Sequence, residues 1–127
     1  MARATMVAMS TIQIFGVKNS QATRAAERYF KERRATVQIV DLKKKAIAAG
    51  EIKRFLDRYG WSGLVDSESK AYVDAGLKYM RLSDADWMAK VERDPGLLRL
   101  PLVRCGNLVS IGKDEAAWQS MIATAGR

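Results

Sequence analysis

The chain has 127 residues, with 22 lysines and arginines against 14 aspartates and glutamates for a formal charge of +8, one cysteine and no histidine. This length suits one domain whose core stands without staples, and no apolar run approaches the roughly 18 residues needed to span a bilayer. The histidine and cysteine counts exclude the usual structural zinc sites, an intramolecular disulfide, a Cys-Cys redox pair and every Ser-His or Cys-His couple, so no metal site is expected.

Met1 to Ser10 lacks a continuous apolar stretch and a cleavage signal, which predicts a flexible N-terminal extension (1–10) before a single domain (11–127), and a cytoplasmic location. The positive charge gathers at Lys18, Arg24, Arg28, Lys31, Arg33 and Arg34, followed by Lys43, Lys44 and Lys45. Such a surface draws anions, whether nucleic acid, an acidic protein face or a small oxyanion. Arg28, Lys31 and Arg34 also suit the wet face of a helix, and no nucleic-acid-binding motif accompanies them.

In chain order, Thr11 to Phe15 alternates Ile12 and Ile14 with polar neighbours and stops at Gly16, which predicts a short strand. A loop through Asn19 follows. From Ser20 to about Arg34, Ala22, Ala25, Ala26, Tyr29 and Phe30 recur at helical spacing. Thr36 to Val40 is a second β-branched run, and strand, helix, strand implies a right-handed crossover between parallel strands. Ile47, Ile52, Phe55, Leu56 and Tyr59 predict a second amphipathic helix stopped by Gly60.

Ser67 is expected to cap a short helix running to about Ala75 and ended by Gly76. Ser83 and Asp86 have the spacing of a capping box for a helix with Trp87, Met88 and Val91 inward, closed by Asp94-Pro95-Gly96. Leu102 to Arg104 and Leu108 to Ile111 flank Cys105-Gly106-Asn107 as a hairpin, and Ala116, Trp118, Met121 and Ile122 mark a last helix. This order suggests an α/β sandwich of the thioredoxin type.

Three runs carry a more specific resemblance: Ile14 to Ser20 (IFGVKNS), Leu64 to Gly76 (LVDSESKAYVDAG) and Asp94 to Gly112 (DPGLLRLPLVRCGNLVSIG). They resemble the ArsC/Spx/YffB family of arsenate-reductase-like proteins, over about Thr11 to Ile122, and Gly-Val-Lys-Asn is nearest the YffB branch. The resemblance implies a thioredoxin-like α/β fold, a mixed four-stranded sheet flanked by helices with a helical insert before the hairpin. It also implies a cis peptide bond at Pro101.

In that family the position of Ser20 holds the nucleophilic cysteine. A thiolate belongs there, because free N–H groups and the helix dipole lower a thiol pKa and hold an oxyanion. A serine hydroxyl gains too little to ionise, and only Lys18 stands near in sequence as a base. Serine is also among the best N-cap residues. Two further departures concern the oxyanion: where the reductases carry arginines, this chain has Leu100, with Arg99 one place earlier, and Asp66. Lys113 is the aligned basic position that is retained. The anion-binding set is thus expected to comprise Lys18, Asn19, Arg24, Arg99 and Lys113.

Cys105 is expected to be an exposed turn thiol, about four residues or roughly 13 Å along a strand from Pro101 and too far to replace the nucleophile. Gly106 to Lys113 has one residue too many for a phosphate-binding loop, and Asp114 follows the lysine where Ser or Thr is required. The pairs Asp84 with Asp86 and Asp114 with Glu115 suit helix starts, and Trp61, Trp87 and Trp118 suit core or subunit contacts.

Three functional readings follow from the resemblance. The first is a redox-inactive ArsC/Spx/YffB-like protein without a cofactor that binds an oxyanion or a protein partner at the Val17–Ser20 loop. The second is a thiol or arsenate-type reductase, with glutathione as reductant, whose cysteine is replaced by Ser20. The third is an Spx-like transcriptional regulator contacting RNA polymerase. None involves a membrane.

Overall fold

The computed structural model describes residues 11–125, so the expected extension over 1–10 lies outside the described residues. Two compact units are present. The first comprises residues 11–41 and 100–125. Its strands are β1 (Ile12–Gly16), β2 (Val37–Asp41), β3 (Leu102–Cys105) and β4 (Leu108–Ile111), and its helices are α1 (Gln21–Glu32) and one at Glu115–Ala125. The sheet order is β2-β1-β3-β4. β1 and β2 run parallel with Ile14 opposite Ile39, as the strand-helix-strand start predicts, while β3 is antiparallel to β1 with Val103 opposite Ile14.

Period-two alternation explains the core of this unit. Ile12 and Ile14 of β1 and Val103 and Cys105 of β3 are fully buried in one cluster with Ala26, Phe30, Trp118 and Met121 from the two helices. Trp118 fills the centre, its ring centroid 5.3 Å from Tyr29 and 5.9 Å from Phe30. At about 25 cal/mol per Å² of apolar surface, each of these large side chains stabilises the unit by about 1.5–3 kcal/mol relative to exposure.

Helix α1 stops at Glu32, earlier than its sequence pattern implies, because Arg34 adopts a left-handed conformation (φ 59°) and Ala35 N–H donates back to the Phe30 carbonyl at 3.0 Å. The hairpin turn is the two residues Gly106 and Asn107, since Cys105 already pairs with Leu108. Gly106 (φ 60°) takes the first central position, where a positive φ favours glycine.

The second unit, residues 42–99, is helical. It holds α2 (Ala49–Leu64), α3 (Lys70–Asp74) and α4 (Asp84–Arg93), with 3-10 turns at Leu77–Tyr79 and Pro95–Leu97, and the last helix of the chain is accordingly α5 (Glu115–Ala125). Gly60 (φ 69°, ψ 172°) interrupts α2 where the sequence places its stop, and one further turn follows the kink. The short helix α3 is capped by Ser69, whose Oγ accepts the Tyr72 N–H, and not by Ser67 as expected. The capping box of Ser83 and Asp86 is formed. The unit closes on itself through a bridge between Val65 and Leu98 and a bond of 2.7 Å from Arg99 N–H to the Leu64 carbonyl.

Candidate functional site

The loop after β1 is shaped by a close approach. A Cβ at Gly16 would overlap the Thr23 side chain, so the strand end and the first turn of α1 meet at a distance only glycine permits. Thr23 is itself buried and its Oγ1 has no hydrogen-bond partner. Val17 is buried, Lys18 and Asn19 are exposed, and Ser20 N–H donates to the Val17 carbonyl at 3.1 Å, which closes the turn.

Ser20 is the N-cap of α1: its backbone is extended (φ −86°, ψ 121°), and its Oγ accepts the Thr23 N–H at 3.1 Å. Its carbonyl accepts the Arg24 N–H. The amides of Gln21 and Ala22 have no partner among the described residues, and they carry the positive end of the helix dipole. A group at position 20 therefore receives a backbone hydrogen bond beside two further donors. For a thiolate that arrangement lowers the pKa, whereas the Ser20 hydroxyl simply caps the helix.

Arg24 ties this helix to the loop, its Nη1 donating to the Lys18 carbonyl at 3.0 Å. Beside it lies a cleft of about 590 Å³ lined by Gln21, Ala22, Arg24, Ala25, Arg28 and Lys113. Lys113 is placed by the turn after β4. Gly112 (φ 64°) donates its N–H to the Pro101 carbonyl at 3.0 Å, and Asp114 caps α5 by accepting the Ala117 N–H at 3.1 Å. The Leu100-Pro101 peptide bond is cis. Lys113 Nζ lies 3.8 Å from Glu115 Oε2, both side chains being well exposed, and such a contact holds the lysine only weakly.

Of the five expected anion-binding residues, Lys18 and Arg24 are joined by a hydrogen bond, and Arg24 and Lys113 share the cleft. Asn19 sits exposed in the loop. Arg99 stands beside Asp66 in the second unit, Nη1 to Oδ1 at 3.9 Å. The sequence reading missed Thr23, Gly16 and Arg28 as parts of the site. Arg28 had the signal of a helix-surface cation one turn after Arg24, whereas the burial of Thr23 had none.

Cys105 is not an exposed turn thiol. It is the last residue of β3, fully buried, with its Sγ 3.8 Å from the Met121 carbonyl. The period-two pattern of Val103 and Cys105 turns it into the core, and burial pushes the thiol pKa up, only partly countered by Arg104. Trp118 is a core residue, and Trp61 stacks on Trp87 at 5.9 Å with its Nε1 donating to Asp84. Among the described residues no cluster of thiol and carboxylate groups is placed to hold a metal ion, and no helix is long and apolar enough to cross a membrane.

No curated protein matches the chain. Among solved structures, a YffB protein superposes with a TM-score of 0.77 at 15% identity, covering 87% of this chain and 98% of its own. An arsenate reductase from Vibrio cholerae gives 0.74 at 18% identity, covering 87% and 97%. An arsenate reductase related protein from Brucella melitensis gives 0.60 at 16% identity, covering 87% and 92%. These likenesses establish a thioredoxin-like fold of the arsenate-reductase type. The sequence model of the ArsC family matches residues 15–121, which includes the Val17–Ser20 loop, Pro101 and Lys113, and the chain therefore belongs to the ArsC family.

Proposed function

We propose that this chain is a cytoplasmic ArsC-family protein that performs no thiol chemistry at the loop after β1 and uses that loop to bind an anion, either a small oxyanion or an acidic group of a protein partner. The observation that carries the reading is the state of Ser20: its Oγ caps the helix by accepting the Thr23 N–H, while the amides of Gln21 and Ala22 stay open. Amides at a helix start remain donors whatever side chain precedes them. Arg24 and Lys113 line the cleft that includes Gln21 and Ala22, Lys18 and Asn19 stand exposed in the loop that Arg24 ties to the helix, and the one thiol of the chain is buried in the core.

The test is a titration with phosphate or sulfate at low ionic strength, followed by amide chemical shifts. Saturable shifts centred on Gln21 and Ala22, weakened by Arg24→Ala and by salt, are expected. Shifts scattered over every lysine and arginine of the surface would overturn the reading. A turnover assay with arsenate and glutathione, glutaredoxin or thioredoxin is expected to show no reduction. Turnover that survives Cys105→Ala would contradict the loss of thiol chemistry.

A further inference from the structure

We propose that the ligand of the cleft beside α1 carries two or three linked phosphoryl groups, an oligophosphate and not a single oxyanion. This rests on the anion-binding reading above and names its ligand class. The carrying observation is a charge imbalance. Arg24, Arg28 and Lys113 all line one hollow of about 590 Å³, and no carboxylate lines it. The Arg28 side chain has no ion-pair or hydrogen-bond partner among the described residues. The acidic groups on the same helix are Glu27, which is engaged by Lys31 at 2.8 Å, and Glu32, which lies 3.8 Å from Arg33. Glu115 faces Lys113 only at 3.8 Å.

A phosphoryl group carries about −1.5 to −2 at neutral pH, so one such group leaves the cations of the cleft under-neutralised. Geometry adds to charge. Arg24 and Arg28 lie one turn apart, about 6 Å along the helix axis, and Lys113 enters from the turn after β4. One Arg24 nitrogen is already held by the Lys18 carbonyl, which fixes that side chain at the loop end of the cleft. A tetrahedral anion at that end leaves Arg28 unused, whereas a linked second or third group reaches it.

The experiment compares orthophosphate, tripolyphosphate and a short single-stranded oligonucleotide by calorimetry at matched ionic strength. Tripolyphosphate is expected to bind at least about tenfold more tightly than orthophosphate; Lys113→Ala is expected to weaken both phosphates, and Arg28→Ala to weaken tripolyphosphate far more than orthophosphate, removing most of the advantage. Equal affinity for the two phosphates, or an advantage indifferent to Arg28→Ala, would overturn the inference. So would tighter binding of the oligonucleotide than of tripolyphosphate. If orthophosphate still shifts the Gln21 and Ala22 amides in that case, the anion-binding reading survives and only the ligand class falls. If tripolyphosphate binds through Arg28 and Lys113 with no effect on those amides, the ligand class stands and the loop reading falls.

Discussion

Arg99 Nη1 stands 3.9 Å from Asp66 Oδ1, so the acidic residue at one position where the reductases carry an arginine meets the arginine that precedes Leu100, the other such position. Asp66 does more than neutralise the arginine. Its Oδ1 also accepts the Glu68 N–H at 3.0 Å, and its own N–H donates to the Leu97 carbonyl at 2.8 Å. Arg99 thus has an acidic neighbour within the second unit.

The two partners consequently differ in weight. Both side chains are more than a third exposed, so the ion pair itself is screened and worth less than about 1 kcal/mol. Removing Asp66 also leaves a turn amide without its acceptor, so Asp66→Ala should destabilise by about 0.5–1.5 kcal/mol and Arg99→Ala by less. Urea unfolding of both variants checks the order. A larger loss for Arg99→Ala would mean that the arginine holds something besides Asp66.

At position 20, Ser20→Ala should cost about 1 kcal/mol, the usual price of a lost N-cap. Ser20→Cys is the more informative change. The Thr23 amide already points at this position, and the helix-start amides and Arg24 lie beside it. The new thiol should titrate below the free value of about 8.5. Thiolate absorbance against pH, measured in a Cys105→Ala background, gives the answer. A value at or above the free thiol would mean that the loop does not favour negative charge.

Most of the architecture was legible in the sequence because it is written in periodicity. Ile12 and Ile14 alternate, Ala22 to Phe30 recur at helical spacing, and Ser83 and Asp86 carry a capping box, so strand, helix and cap follow from local chemistry. The misreadings have equally local causes. Cys105 next to a glycine reads as turn, yet its pairing with Leu108 makes it the last strand residue, and strand parity then buries it. Ser67 and Ser69 are interchangeable as caps in sequence, and only the backbone selects Ser69. That Asp66 is a neighbour of Arg99 had no local signal, because the two lie 33 positions apart in the chain.

The contact between Gly16 and Thr23 should be tightly coupled. An added methyl at position 16 meets Thr23 Oγ1, Cγ2 and Cβ, and both residues are buried, so neither can move into solvent. Gly16→Ala should destabilise by about 1–3 kcal/mol, the range for overpacking. Thr23→Ala removes two of the three clashing atoms. The double variant should therefore recover a large part of the loss, a coupling that a double-mutant cycle in denaturant measures directly. Additive losses would show that the strand end moves away from α1 to make room.

The buried thiol gives the chain a defined response to alkali. Burial raises the Cys105 pKa above its ordinary value of 9.0, so the folded state favours the neutral thiol and the unfolded state releases the proton first. The stabilising contribution of the neutral form is complete below about 9 and is lost as pH rises from there through the raised native value. Wild type should accordingly lose stability more steeply than Cys105→Ala as pH rises above about 9. At neutral pH wild type should be the more stable of the two, because the substitution removes a fully buried sulfur from the core beside Trp118 and Met121. Denaturation midpoints of the two proteins at both pH values provide the comparison, and parallel slopes would show that Cys105 ionises as readily in the folded chain as in the unfolded one.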